Sequence, residues 1–140
     1  MRLVVLDTNV IVSAGIEPRG APAKIVMDWV SEGHVQVVTS REVVAEYRDV
    51  VRRLNFQRYG FPPPWLEFLI EESLRLVDSE PWGLACPDPS DLPFLALASA
   101  AGAWLVTGNL SHFPESSRGG VKVLSPAEYL VHLEGSETRL

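Results

Sequence analysis

The chain has a single cysteine, Cys86, among 140 residues. It can close no internal disulfide and offers no cysteine zinc cluster; this fits a reducing compartment, and a cytoplasmic location is expected. No apolar run reaches 18 residues, so no membrane-spanning helix is expected. The first residues lack the basic region, apolar core and cleavage site of a secretory signal. Positive charge is scarce as well: 12 Lys and Arg stand against 18 Asp and Glu, a formal net charge of -6. That argues against gripping nucleic acid by a bulk positive field, while leaving contact with phosphate through a bound cation open. There is no Gly-rich phosphate loop, no dinucleotide fingerprint and no nucleophile-elbow serine. The three histidines, His34, His112 and His132, are scattered and show no zinc spacing.

What is present suits one domain. The apolar share of 46% fills a single core at this length, and 21% charged residues is close to the globular average. A single domain over residues 1–134 with a polar, frayed tail over 135–140 is expected. Leu3 to Leu6 reads as a strand buried on both faces. Ala21-Pro22-Ala23 opens a helix that Gly33 closes. Val35 to Val38 reads as a second strand, and Thr39-Ser40-Arg41-Glu42 matches a capping box with Thr39 as N-cap. The helix behind it lines up Val43, Val44, Tyr47, Val50, Val51 and Leu54. Gly60-Phe61-Pro62-Pro63-Pro64 breaks the chain. Trp65, Phe68, Leu69 and Leu74 predict the next helix, with Leu76-Val77 a short third strand. Asp88-Pro89-Ser90-Asp91 opens a helix running through Phe94 to Ala101 and stopping at Gly102. Ala103 to Thr107 and Val121 to Leu124 read as strands four and five. Ser125-Pro126-Ala127-Glu128 is a second capping box. Short apolar strands alternating with amphipathic helices specify an α/β fold, a parallel sheet with helices on both faces.

In such sheets ligands bind beyond the carboxyl ends of the strands, at a switch in strand order. Asp7 follows strand one directly, and is either a helix cap or a ligand. Glu46 sits about 40° outside the Val43–Val51 stripe, at the rim of the core; it pairs with Arg48 or Arg53, or it faces the same edge as Asp7. Asp88 and Asp91 both suit a first helical turn. Pro93 is comfortable only near a helix start, so the helix begins near Ser90 or Asp91. One Asp is then a cap and one a ligand, Asp91 being the preferred ligand. The run Val106-Thr107-Gly108-Asn109 after strand four is a plain turn or a source of an amide oxygen. Together these groups form a hard-oxygen set, which selects Mg²⁺ or Mn²⁺ over Zn²⁺. Without a cation such carboxylates repel one another. Residues 41–58 carry Arg41, Arg48, Arg52, Arg53 and Arg58 against three acids, a local charge of +2. They are either phosphate contacts or a solvated face with pairs such as Asp49–Arg53.

These residues resemble the PIN-domain ribonucleases, in particular the VapC-like toxins of toxin–antitoxin pairs, over residues 3 to 130. Leu6-Asp7-Thr8-Asn9-Val10 is similar to the family's opening motif, Val43-Val44-Ala45-Glu46-Tyr47 to its second, Asp91-Leu92-Pro93-Phe94 to its third, and Val106 to Phe113 to its fourth. The resemblance implies a three-layer α/β/α fold with a mostly parallel five-stranded sheet ordered 3-2-1-4-5. It implies Asp7, Glu46 and Asp91 as metal-binding acids, with Asn109 where many members have aspartate and Asp88 as a compensating acid. It also implies hydrolysis of single-stranded RNA leaving a 5′-phosphate, a homodimer, and a small antitoxin as partner. Trp65, Phe68 and Leu69 are either a contact surface or core. Two rivals remain. A haloacid-dehalogenase-type phosphatase wants a second aspartate where Asn9 stands. A PIN-fold binding module without turnover fits the loss of charge at Asn109.

Overall fold

The computed structural model describes residues 2–54, 63–78 and 80–137. Strands β1 (Arg2–Leu6), β2 (Val35–Ser40), β3 (Leu74–Leu76), β4 (Trp104–Val106) and β5 (Val123–Leu124) form one sheet in the order β3-β2-β1-β4-β5. Every ladder in it is parallel. The order and the α/β/α architecture are those expected. Helices α1 (Thr8–Ile16), α2 (Ala21–Lys24, continuing as a π-helical turn Ile25–Val30), α3 (Arg41–Leu54), α4 (Trp65–Glu72), α5 (Leu92–Ala101), α6 (Glu115–Arg118) and α7 (Pro126–Glu137) connect the strands. Among the described residues no helix is long and apolar enough to cross a membrane.

The strand residues Val4, Val5, Leu6, Val37, Val38, Leu105 and Val106 are fully buried, as the both-faces reading requires. Helix α5 crosses β1, β2 and β4 and meets α3 at its edge. Its Phe94, Leu95, Leu97 and Ala98 are buried, so nearly its whole circumference is apolar. Gly102 then adopts φ 64°, a left-handed stop that glycine takes without a side-chain clash. Gly33 closes the α2 segment at φ 82° in the same way.

Several local expectations are corrected. Strand β2 runs on to Ser40 because Thr39 and Ser40 pair with Arg75 and Leu76. Ser40, not Thr39, therefore caps α3: its hydroxyl accepts from the Val43 N–H at 3.3 Å. Thr39 is turned to Ser73, hydroxyl to hydroxyl at 2.7 Å. Leu74 belongs to β3 rather than to the preceding helix, since Ser73 ends α4 in an extended conformation. Helix α1 is not announced by the sequence, because its Val10-Ile11-Val12 run is β-branched and prefers strands. The Ser125/Glu128 box is formed reciprocally, at 2.9 and 3.1 Å. Helix α7 continues through Gly135 to Glu137, where fraying was expected. Arg58 and the Gly60-Phe61-Pro62 part of the break lie outside the described residues.

One buried bond ties α3 to the central strand. Tyr47 is fully buried and its hydroxyl donates to the Leu6 carbonyl, one residue before Asp7. Tyr47→Phe leaves that carbonyl without its donor, and a loss of about 1–3 kcal/mol is expected in urea unfolding, with an unchanged denaturant slope.

Candidate active site at the carboxyl edge of the sheet

Leu6 and Val106 are paired across β1 and β4, so the residues that follow emerge side by side. The Asp7 N–H donates to the Val106 carbonyl at 2.9 Å. The Asp7 side chain then turns back and is only 5% exposed. One carboxylate oxygen accepts from the Thr8 N–H at 2.7 Å, capping α1. The other accepts from the Thr107 hydroxyl at 2.8 Å and from the Asn9 amide at 3.3 Å. Asn9 also spans the gap, its oxygen accepting from the Gly108 N–H at 2.9 Å. The cap and the site-facing acid are thus one residue. Burial pushes the Asp7 carboxyl above its ordinary range, against the pull of Thr107, Thr8 and His112.

The second cluster comes from the start of α5 and the loop after β4. Asp88 caps a 3₁₀ turn over Pro89–Asp91, accepting from the Ser90 N–H at 3.0 Å and the Ser90 hydroxyl at 2.9 Å. Those bonds hold its carboxyl below the usual range. Asp91 closes the turn and is 7% exposed. So Asp88 is the capping residue of the pair and Asp91 the buried one. Burial and then the charge of Asp7 push Asp91 up to about 6. His112 Nδ1 lies 3.1 Å from Asp91 Oδ2. One ligand atom each from Asp88, Asp91 and His112 falls within 4.8 Å of the others. His112 is therefore not scattered: α5 and β4 carry residues 91 and 112 to the same edge, a closeness that linear spacing hides.

Glu46 projects from α3 at intermediate burial, and burial first, then Asp7 and Asp91, push its carboxyl up. It accepts no hydrogen bond from a described residue, and the expected pairing with Arg48 is not made. Arg48 instead makes a two-bond pair with Glu67, at 2.6 and 3.1 Å. Arg53 pairs with Asp49 at 3.2 Å. At about 100° per residue, Arg41, Arg48 and Arg52 share a helix face more than about 100° from Glu46, whereas Arg53 lies within about 20° of it. Arg53 accordingly eases the charge on Glu46. The Asn109 side-chain oxygen accepts from the Ser111 hydroxyl at 2.8 Å. The residues the sequence reading passed over are Asn9, Thr107 and His112. All three stand inside quoted motifs; for Asn9 and Thr107 the signal is the need of a buried carboxylate for donors.

Asp7 thus raises the affinity of Glu46 and Asp91 for protons, and Asp91 raises that of Glu46. Buried or half-buried oxygens of like charge suit a small divalent cation, which would replace that repulsion by attraction. A carboxyl whose pKa is raised on folding stabilises the protein in acid, and that contribution is lost as pH rises through the folded value. For Asp91 the change from 3.8 to about 6 corresponds to up to about 3 kcal/mol. In EDTA, wild type is expected to lose stability relative to Asp91→Asn between pH 4 and pH 7, read as a fall in its Tm relative to that of the variant. Added Mn²⁺ at pH 7 is expected to reverse the loss in wild type.

The chain matches the PIN domain family over residues 3–111. A search of curated proteins finds no match. Among solved structures it is similar to VapBC2 from Rickettsia felis bound to a DNA fragment from its promoter, with a TM-score of 0.62 and 17% identity over 88% of this chain and 98% of that one. PAE2754 from Pyrobaculum aerophilum gives a TM-score of 0.61 at 14% identity, covering 96% and 90%. FitAcB from Neisseria gonorrhoeae gives 0.54 at 22% identity, covering 89% and 98%. At these identities the structures speak for the fold. The family match spans well over half of the chain and coincides with the strand-edge acids, and the protein belongs to the PIN domain family.

Proposed function

We propose that this protein is a divalent-metal-dependent endoribonuclease acting on single-stranded RNA, and the toxin of a toxin–antitoxin pair. The observation that carries the reading is the electrostatic coupling of acids from three separate elements, in which Asp7 pushes up the carboxyls of Glu46 and Asp91, and Asp91 pushes up that of Glu46. In this reading Asp7 and Asp91 hold Mg²⁺ or Mn²⁺, with Asp88 beside them, and Glu46 orients a second ion or the attacking water. When bound, the metal supplies Lewis-acid stabilisation of charge on the phosphate and lowers the pKa of water. The chain's own part is placement. Thr8, Asn9 and Thr107 fix both oxygens of Asp7, and Tyr47 fixes the strand end behind it. Glu46, free of hydrogen bonds from described residues, is the carboxylate able to accept a proton from water as it attacks in line.

RNA contact falls to the α3 arginines. Arg53 shares the helix face of Glu46, while Arg41 and Arg52 are exposed further round. The solved structures of similar fold include VapBC2 and FitAcB, which supports a small antitoxin as partner and cytoplasmic residence. The segment after the proline break contributes to both core and surface. Leu69 is buried, Trp65 partly so, and Phe68 is 62% exposed beside a groove of about 230 Å³ shared with Met27 and Val30. We assign that groove and a homodimer face to assembly. A catalytically silent binding module is the second reading. It is favoured by Asn109, which is uncharged and engaged by Ser111.

Two measurements separate these readings. With single-stranded RNA and Mn²⁺, Asp7→Asn is expected to lower cleavage by about a hundredfold or more; equal cleavage by both proteins removes the enzymatic claim. In RNA-binding titrations, Arg53→Ala is expected to lower the salt slope by about 0.7, one phosphate on a single strand. Arg48→Ala changes the slope less, because two hydrogen bonds to Glu67 hold that guanidinium on a face away from Glu46, whereas Arg53 has a single contact with Asp49 and shares the Glu46 face.

A further inference from the structure

The loop after β4 sends a different donor toward Asp91 from the one its sequence suggests. Asn109, at the position of an expected oxygen ligand, has its side-chain oxygen occupied by the Ser111 hydroxyl at 2.8 Å. The chain then makes a 3₁₀ turn over Leu110–His112, closed by the His112 N–H donating to the Asn109 carbonyl at 3.1 Å. Phe113, the next residue, is fully buried, and its carbonyl is held by Arg118 Nε at 2.8 Å. The backbone on both sides of His112 is therefore fixed, and its ring is delivered to the acids from a rigid turn.

The distances match shared ligation. Neighbouring ligands of a six-coordinate ion with bonds of about 2.2 Å stand about 3.1 Å apart, and opposite ligands about 4.4 Å apart. His112 Nδ1 and Asp91 Oδ2 are separated by 3.1 Å. The three ligand atoms of Asp88, Asp91 and His112 lie within 4.8 Å of one another, so a small contraction brings all three onto one ion. Asp91 is held in place by its buried position at the start of α5, and Asp88 by two bonds from Ser90.

We infer that His112 supplies an imidazole nitrogen, with carboxylate oxygens from Asp91 and Asp88, to one divalent first-row transition ion, so that the site takes Mn²⁺ in preference to Mg²⁺. Oxygen-only sets suit Mg²⁺ and Mn²⁺ alike, whereas Mg²⁺ gains little from nitrogen and transition ions gain more. The inference rests on the metal-dependent reading above and specifies its metal. It adds a nitrogen donor three residues beyond Asn109, whose own amide oxygen accepts from Ser111. The competing role for His112 is a hydrogen bond that only orients Asp91.

The test is pulsed electron paramagnetic resonance of Mn²⁺ bound to the full-length protein, with calorimetric titrations of Mn²⁺ and Mg²⁺. Directly bound imidazole gives ¹⁴N modulation, which changes when the wild-type protein carries ¹⁵N-histidine and disappears in His112→Gln. Wild type is expected to prefer Mn²⁺ by about tenfold or more, and His112→Gln to lose about tenfold in Mn²⁺ affinity with little change for Mg²⁺. The isotope experiment needs no substitution, so it stands even where the variant folds poorly. Mn²⁺ bound at the acids without histidine nitrogen modulation overturns the inference and leaves the metal-dependent reading intact. No binding of Mn²⁺ by wild type overturns both.

Discussion

Placing a carboxylate at the buried end of a central strand is the constraint on which the rest of the site depends. An aspartate with 5% exposure needs donors for its oxygens or it will take up a proton. The chain meets this locally and at long range together. The Thr8 N–H comes from the helix that Asp7 itself starts, and the Thr107 hydroxyl comes from a residue one hundred positions away. The second bond exists only because β1 and β4 are neighbours in register, Leu6 opposite Val106. Asn9 closes the arrangement by donating to Asp7 while accepting from Gly108. Space is tight here: a Cβ on Gly108 would sit 3.2 Å from the Asn9 oxygen, so the loop passes close enough to be held. The orientation of Asp7 is thus a property of the sheet order, and a change of neighbour for β1 would remove it.

The same order gathers the other acids. In an all-parallel sheet every strand points its carboxyl end to one edge, and the chain turns back there into helices. Asp7 begins α1, Glu46 lies in the second turn of α3, and Asp91 lies just before α5. Each is within about two turns of a helix start and therefore on that edge. Helix α5 does the most to define the pocket. Its nearly all-apolar surface packs on the sheet and touches α3, which brings Asp91, just before its first turn, near enough to Asp7 and Glu46 for their charges to interact.

How much of this was legible in the sequence follows from the range of the interactions involved. The strands were accessible as apolar runs bounded by turns, which are local signals, whereas their order came only with the resemblance to the family's motifs; Asp7 and Asp91 stood out as candidates at a strand end and a helix start, and Glu46 at the rim of an apolar stripe. The division of labour in which Asp88 is the cap was accessible too. Boundaries failed where two adjacent polar residues could each cap. Thr39 and Ser40 are equal in propensity, and the pairing of β2 with β3, a tertiary fact, extends the strand and gives the cap to Ser40. Helix α1 was hidden by β-branched residues whose strand preference is overridden by the Asp7 cap and by burial of Val10 and Ile11. His112 was invisible for a different reason. Metal motifs on one helix or turn have fixed spacings, but Asp91 and His112 are joined across a helix, a strand and a turn, so no spacing encodes them.

The charge arrangement gives the final step. On α3, Arg48 faces away from Glu46 and is held by Glu67, and Arg53, on the Glu46 face, pairs with Asp49. Among the described residues the acids are left with hydroxyl, amide and backbone donors, with a histidine at Asp91 and with Arg53 acting on Glu46 from a distance. A guanidinium placed among them would satisfy their charge permanently and stabilise the fold, yet in the proposed reading it would also fill the position a cation would take. Leaving the acids in mutual repulsion keeps that position open at the expense of stability in the cation-free protein. The fold therefore holds Asp7 by neutral donors that leave its charge available, at an edge where a bound cation would offset the repulsion among the acids.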